Sequence, residues 1–304
     1  MTGEACAIGL DIGGTDLKAV LLTGEGAELE RFTHPTPGKR DALVDCVRES
    51  VRSLAASAGA ERPMVGLAAP GLAARDGRTV AWMQGRVDAV QGLDWSAALG
   101  RPVWVLNDAH AAALGEAWLG AAAGAANVVL LTLGTGVGGG IIADGKLLGG
   151  HLGRAGHLGH ITVDMDGRPD LVRIPGSLED AIGDCTIRER SNGRFASTRD
   201  LVAAATEGDA GAERVWQRSI RALACGIASL INVVDPEVVV IGGGIASAGD
   251  ALFEPLRTEL DTLEWRPTGA RVRILPAKLG PFAGAIGAAR HTFRQEQQPW
   301  SAHG

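Results

Sequence analysis

The sequence predicts an α/β fold built from two similar halves, with a ligand-binding cleft between them. Three observations support this prediction. Short apolar runs of β character alternate with segments whose apolar residues recur at the helical period. A unit of strand, glycine-rich turn and strand occurs twice, around residue 13 and again around residue 136. The chain also has 304 residues, more than one ordinary hydrophobic core requires, and clefts between domains are common binding sites.

The first half is predicted to begin as an antiparallel meander. Its three apolar runs, at residues 6–10, 17–22 and 29–32, are separated by turns that contain glycine. A helix is predicted over residues 41–58, because apolar residues recur there at the helical period. After it we expect, in order, a strand at 64–69, a strand at 102–106 and an alanine-rich helix at 107–119.

The second half repeats this plan. Its predicted elements are, in order, strands at 127–133, 140–143 and 146–148, a helix from Ser177, helices within 201–234 that break at Gly208, strands at 237–241 and 272–275, and a last helix at 284–293 before a polar tail. We therefore divide the chain into an N-terminal α/β domain at residues 1–118 and a larger C-terminal α/β domain at residues 119–304. This division leaves the last helix free to pack back on the N-terminal domain.

The composition argues against several classes of protein. The formal net charge is −6 and Lys and Arg form no basic block, so nucleic acid is not an expected partner. No apolar run approaches the ~20 residues of a membrane-spanning helix. The N-terminus lacks a signal-peptide pattern, so we expect a cytoplasmic protein. The four cysteines are scattered without a CxxC motif, as expected for reduced thiols.

The first glycine turn, Asp11-Ile12-Gly13-Gly14-Thr15, is predicted to bind phosphate. Glycines let the backbone approach a phosphate closely, and the turn amides and the Thr15 hydroxyl are hydrogen-bond donors. Asp11 is expected to hold Mg²⁺ through water, because Mg²⁺ binds few carboxylates and keeps much of its hydration. An ordinary hairpin turn is the plainer alternative for this motif.

The second glycine turn, residues 134–140, matches the pattern G-x-G-x-x-G. A dinucleotide-binding fold is not expected, because that fingerprint must open a helix and here a β-hairpin follows. We expect a second phosphate turn in which Thr135 and Gly136 contact the ligand. A third cluster follows a buried strand, and there Gly243 and Gly244 are expected to form the wall of a nucleoside site. A tight strand-to-helix turn is its alternative interpretation. Walker-type GxxxxGK[ST] and GxSxG motifs are absent.

Asn107-Asp108 lies where a predicted strand meets a predicted helix. Helix capping alone explains one of the two residues, since Asn and Asp are favoured N-caps. Both together suit catalysis, because phosphoryl transfer needs a carboxylate that accepts the proton of the attacking hydroxyl. We expect Asp108 to be this base and Asn107 to orient the acceptor. The helix start is expected to keep Asp108 ionised.

Three histidines, His151, His157 and His160, lie in a glycine-rich stretch. Hydrogen bonding to a polar ligand is favoured over a metal site, because no cysteine is near and neutral imidazole both donates and accepts. Glu179 opens a predicted helix, where a carboxylate is also favoured by the helix dipole alone.

On these motifs the chain resembles the ROK family (repressors, open reading frames, kinases) of the actin-like ATPase superfamily, over nearly its whole length. Residues 11–15 and 134–140 look like the two phosphate motifs of that family, residues 241–244 like its adenosine motif, and residues 107–108 like its sugar-binding and catalytic pair. The resemblance implies duplicated ribonuclease H-like domains flanking a central cleft, ATP and Mg²⁺, a hexose or related sugar, and a homodimer. The sugar-binding residues then expected are Gly71, Asn107, Asp108, His157, His160 and Glu179; the expected nucleotide-binding residues are Gly13, Gly14, Thr15, Thr135, Gly136, Gly243 and Gly244.

The chain departs from the family pattern in its sugar loop. His157 stands where the family usually has a Glu that bonds sugar hydroxyls, so the usual hexose preference is in doubt. The three cysteines of the usual zinc motif are replaced by Asp170, Val172 and Ser177, so we predict no structural zinc. The usual Asn after Pro-Gly is also missing, and Gln84 is a candidate replacement.

The leading functional hypothesis is an ATP-dependent sugar kinase with Asp108 as general base. The alternative is a non-catalytic sugar or nucleotide sensor of the same fold, suggested by the altered sugar loop. The phosphoryl donor is left open between ATP and polyphosphate. The first strand is predicted close to the N-terminus, so the DNA-binding domain of ROK repressors is not expected.

Overall fold

The computed structural model describes residues 5–58, 62–83, 87–170 and 172–297, and these form two compact units. The first unit contains the described residues up to 124, residues 149–155 and the described residues from 278 onward; the second contains residues 125–148 and the described part of 156–277. The last helix, which the sequence-based division at residue 118 left free to pack back on the N-terminal domain, belongs to the first unit. Gln84 lies outside the described residues.

Strands and α-helices are numbered in chain order. The strands are β1 (Cys6–Ile12), β2 (Asp16–Thr23), β3 (Glu28–Pro35), β4 (Met64–Ala69), β5 (Leu72–Ala73), β6 (Val80–Trp82), β7 (Trp104–Asn107), β8 (Val128–Leu133), β9 (Val137–Ala143), β10 (Lys146–Leu147), β11 (Val238–Gly242) and β12 (Arg273–Pro276). The helices are α1 (Arg40–Ser57), α2 (Trp95–Leu99), α3 (Asp108–Leu119), α4 (Leu178–Ile182), α5 (Ile187–Arg190), α6 (Thr198–Thr206), α7 (Ala210–Val234), α8 (Asp250–Leu263) and α9 (Ala283–Gln297).

The two units contain five-stranded sheets with the same topology. The strand order is β3-β2-β1-β4-β7 in the first and β10-β9-β8-β11-β12 in the second. In each sheet the first three strands pair antiparallel and the last two add in parallel. The predicted α/β fold with a duplicated unit is confirmed.

In the first unit, α9 packs directly on the sheet. Side chains alternate along a strand, so Ile8 and Leu10 of β1 join the core cluster that contains α1, whereas Ala7 joins the cluster that contains α9. Gly9 pairs with Gly66 in register, and a Cβ at either position would overlap the backbone of α9. The two glycines therefore permit close approach of the helix.

In the second unit, the long helix α7 covers the sheet. Its apolar residues, among them Leu223 and Ile227, join alternate residues of β8, including Val129 and Leu131, in one buried cluster. Helix α7 begins at an Asp209 N-cap, and the predicted break near Gly208 is confirmed.

Strand β9 begins earlier than the sequence indicates. The glycines at 138–140 weaken strand propensity, yet all three pair with β8 in continuous register. Gly139 is needed there, because a Cβ would lie 2.6 Å from the Leu158 side chain. Tertiary pairing therefore overrides local propensity at this position. Helices α2 and α8 and the short β5–β6 pair were not predicted from the sequence, and the helix predicted from Ser177 ends at Ile182.

Candidate active site

Asp108 lies in the first unit, at the junction of β7 and α3. Asn107 ends the strand and caps the helix, since its Oδ1 accepts from the amides of Ala109 and His110 at 3.0 and 3.1 Å. Asp108 is therefore the first residue of α3, as the capping signal in the sequence predicts.

The Asn107 side chain has all its hydrogen-bonding capacity in use. Its Nδ2 donates to the Gly71 carbonyl at 3.0 Å and to Asp108 Oδ1 at 2.9 Å, and its Oδ1 accepts from two amides. A primary amide has two donor hydrogens and two acceptor lone pairs, so none remains for a ligand. The side chain thus links Asp108, the Gly71 turn and the start of α3, and the expected contact of Asn107 with a sugar stays a prediction.

Gly71 adopts a conformation that favours glycine. Its φ is 96°, and a Cβ would overlap the Trp82 carbonyl. Because its own carbonyl accepts from Asn107, the Gly71 turn and the start of α3 are joined in the first unit.

The two oxygens of Asp108 differ in their environment. Oδ1 accepts from its neighbour's amide, Ala109 N, at 2.8 Å and from Asn107 Nδ2, whereas Oδ2 has no hydrogen bond to any described residue. Burial raises the pKa of Asp108, although the two amides of the helix start and Asn107 lower it. Desolvation therefore outweighs the helix start in the pKa of Asp108 and makes the carboxylate more basic.

Asp11 lies on the α9 face of the first sheet, as the alternation from Ala7 and Gly9 requires. A Cβ at Gly284, in the first turn of α9, would lie 2.6 Å from Asp11 Oδ2. Burial and the charge of Asp108 raise the pKa of Asp11 to about 7, and the nearby Lys18 lowers it only in part. Asp11 and Asp108 therefore form an electrostatically coupled pair of carboxylates.

This donor set fits Mg²⁺. The ion typically takes one or two carboxylates and completes its octahedron with water and substrate phosphates. Asp11 makes no ion pair with a described residue, and the repulsion from Asp108 is the kind that a cation relieves. No group of three or more His, Cys, Asp or Glu suited to a metal occurs among the described residues.

The first glycine turn presents backbone donors. Gly13 N donates to Asp16 O at 3.0 Å, and Thr36 holds the turn from the far side by bonding to Gly13 O and Thr15 O. The amides of Gly14 and Thr15 have no acceptor among the described residues, and both residues are exposed. Two adjacent free amides of this kind suit an anion.

The second glycine turn has a matching arrangement in the second unit. The amides of Thr135 and Gly136 also have no acceptor among the described residues. The turn is held by Glu179, whose Oε2 accepts from Val137 N at 2.9 Å and lies so close to Gly136 that a Cβ there would overlap it. Glu179, expected to bind sugar, is thus in contact with the turn predicted to bind phosphate.

A cavity of about 570 Å³ in the second unit joins the second and third glycine clusters. Gly134 and Thr135 form one side and Gly244, Ile245 and Ser247 another. Gly243 has a φ of 86°, and a Cβ would overlap the backbone of Leu133, so the chain turns there against the end of β8. A short 3-10 helix, rather than an α-helix, follows.

The remaining wall of this cavity was not predicted from the sequence. Asp184 and the start of α6, residues 197–200, also line it. Ser197 caps α6 by accepting from Asp200 N at 3.1 Å. The S-x-x-D spacing of a capping box was the available signal for a helix start there.

His157 and His160 lie on one 3-10 turn of the second unit. Their rings are parallel, with centroids 6.5 Å apart. His160 Nδ1 lies 3.8 Å from Asp170 Oδ2. The turn thus connects to the loop expected to lack zinc.

The chain is similar to known proteins over nearly its whole length. The model of the ROK family matches residues 7–294. A glucokinase of Thermotoga maritima is 33% identical over 93% of this chain and 95% of its own. The crystal structure of a ROK hexokinase from Thermus thermophilus is 31% identical, with a TM-score of 0.84 over 96% of this chain and 99% of that one. The crystal structure of a ROK family glucokinase from Streptomyces griseus, in complex with glucose and AMPPNP, is 31% identical, with a TM-score of 0.76 over 94% of this chain and 98% of that one.

None of the helices in the described part of the chain is both long enough and apolar enough to cross a bilayer.

Proposed function

Because the chain belongs to the ROK family, we propose that it is an ATP-dependent kinase that phosphorylates a hydroxyl group of a hexose or related sugar. The observation that carries the proposal is the state of Asp108. One carboxylate oxygen is anchored by Ala109 N and Asn107, the other has no partner among the described residues, and the pKa is raised. A general base needs this combination of fixed position, open oxygen and adequate basicity.

In the proposed reaction, the sugar hydroxyl attacks the γ-phosphorus of ATP. Its oxygen forms the new P–O bond, the bond from that phosphorus to the bridging oxygen of ADP breaks, and the hydroxyl proton passes to Asp108 Oδ2. The primary hydroxyl is the expected acceptor. Asn107 orients the base, and catalysis of this type rests mainly on positioning and charge stabilisation.

The nucleotide is assigned to the glycine turns and to the cavity of the second unit. Free amides of Gly14, Thr15, Thr135 and Gly136 are suited to phosphate oxygens, because consecutive unpaired backbone amides form anion-binding concavities. Gly243 and Gly244 are assigned to the nucleoside. The cavity volume of about 570 Å³ is within the range of small-molecule sites.

Mg²⁺ is assigned to Asp11, through water. When bound, such an ion neutralises charge on the transferring phosphates. Burial and Asp108 leave Asp11 with a pKa of about 7, so proximity to a cation is what would keep this carboxylate ionised at neutral pH.

The sugar is assigned to Asp108, Gly71, His157, His160 and Glu179. The imidazoles of His157 and His160 can each donate or accept a hydrogen bond, which suits a sugar hydroxyl. Glu179 is less well supported as a sugar ligand, because one of its oxygens already accepts from Val137 N. The substitution of His157 for the usual Glu makes the choice of sugar an experimental question.

The test is a coupled assay of ADP formation over a panel of hexoses, amino sugars and polyols. The Asp108→Asn variant keeps the shape of the side chain and should lower kcat at least about 100-fold. Calorimetry should show sugar affinity little changed. Asp94→Asn, at the N-cap of α2, is the matched control and should retain full turnover. Unchanged turnover in Asp108→Asn would exclude Asp108 as the base.

The non-catalytic sensor is not favoured, because the relatives described above are kinases by name. Two further parts of the proposal are a homodimer, which the resemblance to the family implies, and a cytoplasmic location, which the sequence suggests. Light scattering on the purified protein and fractionation of the producing cells test them. Replacing ATP by polyphosphate in the same assay decides the donor.

A further inference from the structure

Two buried polar atoms of the second unit face each other without a hydrogen bond. They are His160 Nδ1 and Asp170 Oδ2; neither has a hydrogen-bond partner, and they lie 3.8 Å apart. This distance is too long for a hydrogen bond and too short for a bridging water. Buried polar groups are seldom left unsatisfied, so each atom is the natural partner of the other.

The Asp170 carboxylate is held firmly in place. Its Oδ1 accepts from the amides of Val172 and Ile174, both at 2.9 Å. Only 2% of the Asp170 side chain is exposed. Burial alone would raise the pKa of Asp170, but the hydrogen bonds from Ile174, Ser177 and Val172, together with His160, lower it. Asp170 therefore behaves as a buried, fixed anion.

The His160 ring is partly accessible on its other side. The side chain is 36% exposed although Nδ1 is fully buried, and Nε2 has no hydrogen bond to a described residue. A neutral imidazole donates from one nitrogen and accepts at the other. The group opposite Nδ1 therefore decides what Nε2 can do.

We propose that Asp170 is a positioning residue that selects the Nδ1–H tautomer of His160, so that Nε2 is presented as a hydrogen-bond acceptor for a ligand hydroxyl. A small rotation of the ring closes the 3.8 Å separation into an Nδ1–H···Oδ2 hydrogen bond. Polar contacts of this kind are often long in a ligand-free site and shorten when the site fills.

The identity of the ligand hydroxyl as that of a sugar rests on the proposed function; the tautomer does not. A metal ion is the competing explanation for a buried imidazole nitrogen beside a carboxylate. His160 and Asp170 supply only two donors, and structural zinc takes four. The described residues offer no third His, Cys, Asp or Glu to such a group.

The first experiment needs no substitution in the pair. Long-range ¹H–¹⁵N NMR of the histidine rings at pH 8, with His160 assigned from His160→Gln, should show a protonated Nδ1 and an unprotonated Nε2. Because this readout is independent of turnover, it separates the tautomer from the kinase proposal. A protonated Nε2 in the unmodified protein, or zinc bound in stoichiometric amount on elemental analysis, would overturn the inference.

The second experiment reverses the tautomer. In Asp170→Asn the amides of Val172 and Ile174 should retain the carbonyl oxygen, so that the new NH₂ group faces His160 and forces its Nδ1 to accept. The NMR signature should switch to Nε2–H, and the sugar KM should rise about tenfold while the KM for ATP stays unchanged. Asp166→Asn, at an exposed carboxylate of the same loop, is the matched control and should leave both unchanged. A merely structural role for Asp170 would lower stability without switching the tautomer, and that result would also refute the proposal.

Discussion

Asn107 Nδ2 donates to Asp108 Oδ1 at 2.9 Å, and this contact distinguishes the two oxygens of the candidate base. Because Oδ1 is engaged in this hydrogen bond, Oδ2 is the oxygen that can accept a proton. The same side chain caps α3 and bonds to Gly71, so one residue connects helix start, base and neighbouring turn. Its effect on catalysis should therefore exceed its effect as a cap.

We expect Asn107→Ala to lower both stability and turnover. Loss of the cap should cost about 1 kcal/mol of unfolding free energy. Loss of the bond to Asp108 should lower kcat at least about tenfold, because the base is no longer held in one orientation. Thermal unfolding and steady-state kinetics measure the two effects.

The matched control is Asp209→Ala at the start of α7. Asp209 Oδ1 accepts from the amides of Gly211 and Ala212, the same pair of bonds that Asn107 makes to Ala109 and His110. The control should lose a similar amount of stability and keep its kcat. Equal kcat values for the two variants would contradict a positioning role for Asn107.

The pKa of Asp11 predicts a dependence of stability on pH. It is about 7 in the folded protein, raised by burial and by Asp108, against an ordinary value of 3.8. Between these values the folded state binds the proton more tightly than the unfolded state does. The contribution of Asp11 is therefore favourable at low pH and is lost as the pH rises from about 4 to about 7.

Asp11→Asn should remove the loss of stability that ionisation of Asp11 causes as the pH rises. In buffer free of nucleotide and divalent cations, its melting temperature should equal that of the unsubstituted protein near pH 4 and exceed it above pH 7. A gap of at least about 2 °C is expected, corresponding to about 1 kcal/mol. Asp88→Asn, at an exposed site, should show no such divergence. A difference in melting temperature that becomes smaller as the pH rises would contradict a raised pKa of Asp11 in the folded protein.

Close packing of α9 against α3 predicts a large effect of one methyl group. A Cβ at Gly287 would overlap the carbonyl of Ala111, which is backbone and cannot move aside. Gly287→Ala should therefore lower the unfolding free energy by about 2 kcal/mol or more, despite the better helix propensity of Ala.

Gly226→Ala in α7 gives the comparison. A Cβ at Gly226 would have as its nearest neighbour the flexible end of the Ile161 side chain, 3.2 Å away. The gain in helix propensity is the same as for Gly287→Ala. This variant should be neutral or up to about 1 kcal/mol more stable. Denaturant midpoints compare the two; similar values would show that α3 and α9 can separate at little cost.

Much of the fold was predictable because its signals are local. The repeated strand, glycine turn and strand, the cap at Asn107 and the break before α7 depend on residues close in sequence. The candidate phosphate turns were predictable for the same reason. Gly138 and Gly139 were assigned to a turn, because their pairing with β8, not their propensity, decides the strand.

By itself, the sequence determined the duplicated α/β plan, the family and the residue types at the candidate site. Only the tertiary structure decided that α9 packs on the first sheet, that desolvation outweighs the helix start at Asp108, and that Asp170 faces His160. The physical reason is how far apart in the chain the interacting residues lie. Hydrogen-bonded turns and caps are set by neighbouring residues, whereas burial, and with it the pKa of a carboxylate or the partner of an imidazole, depends on segments distant in the chain.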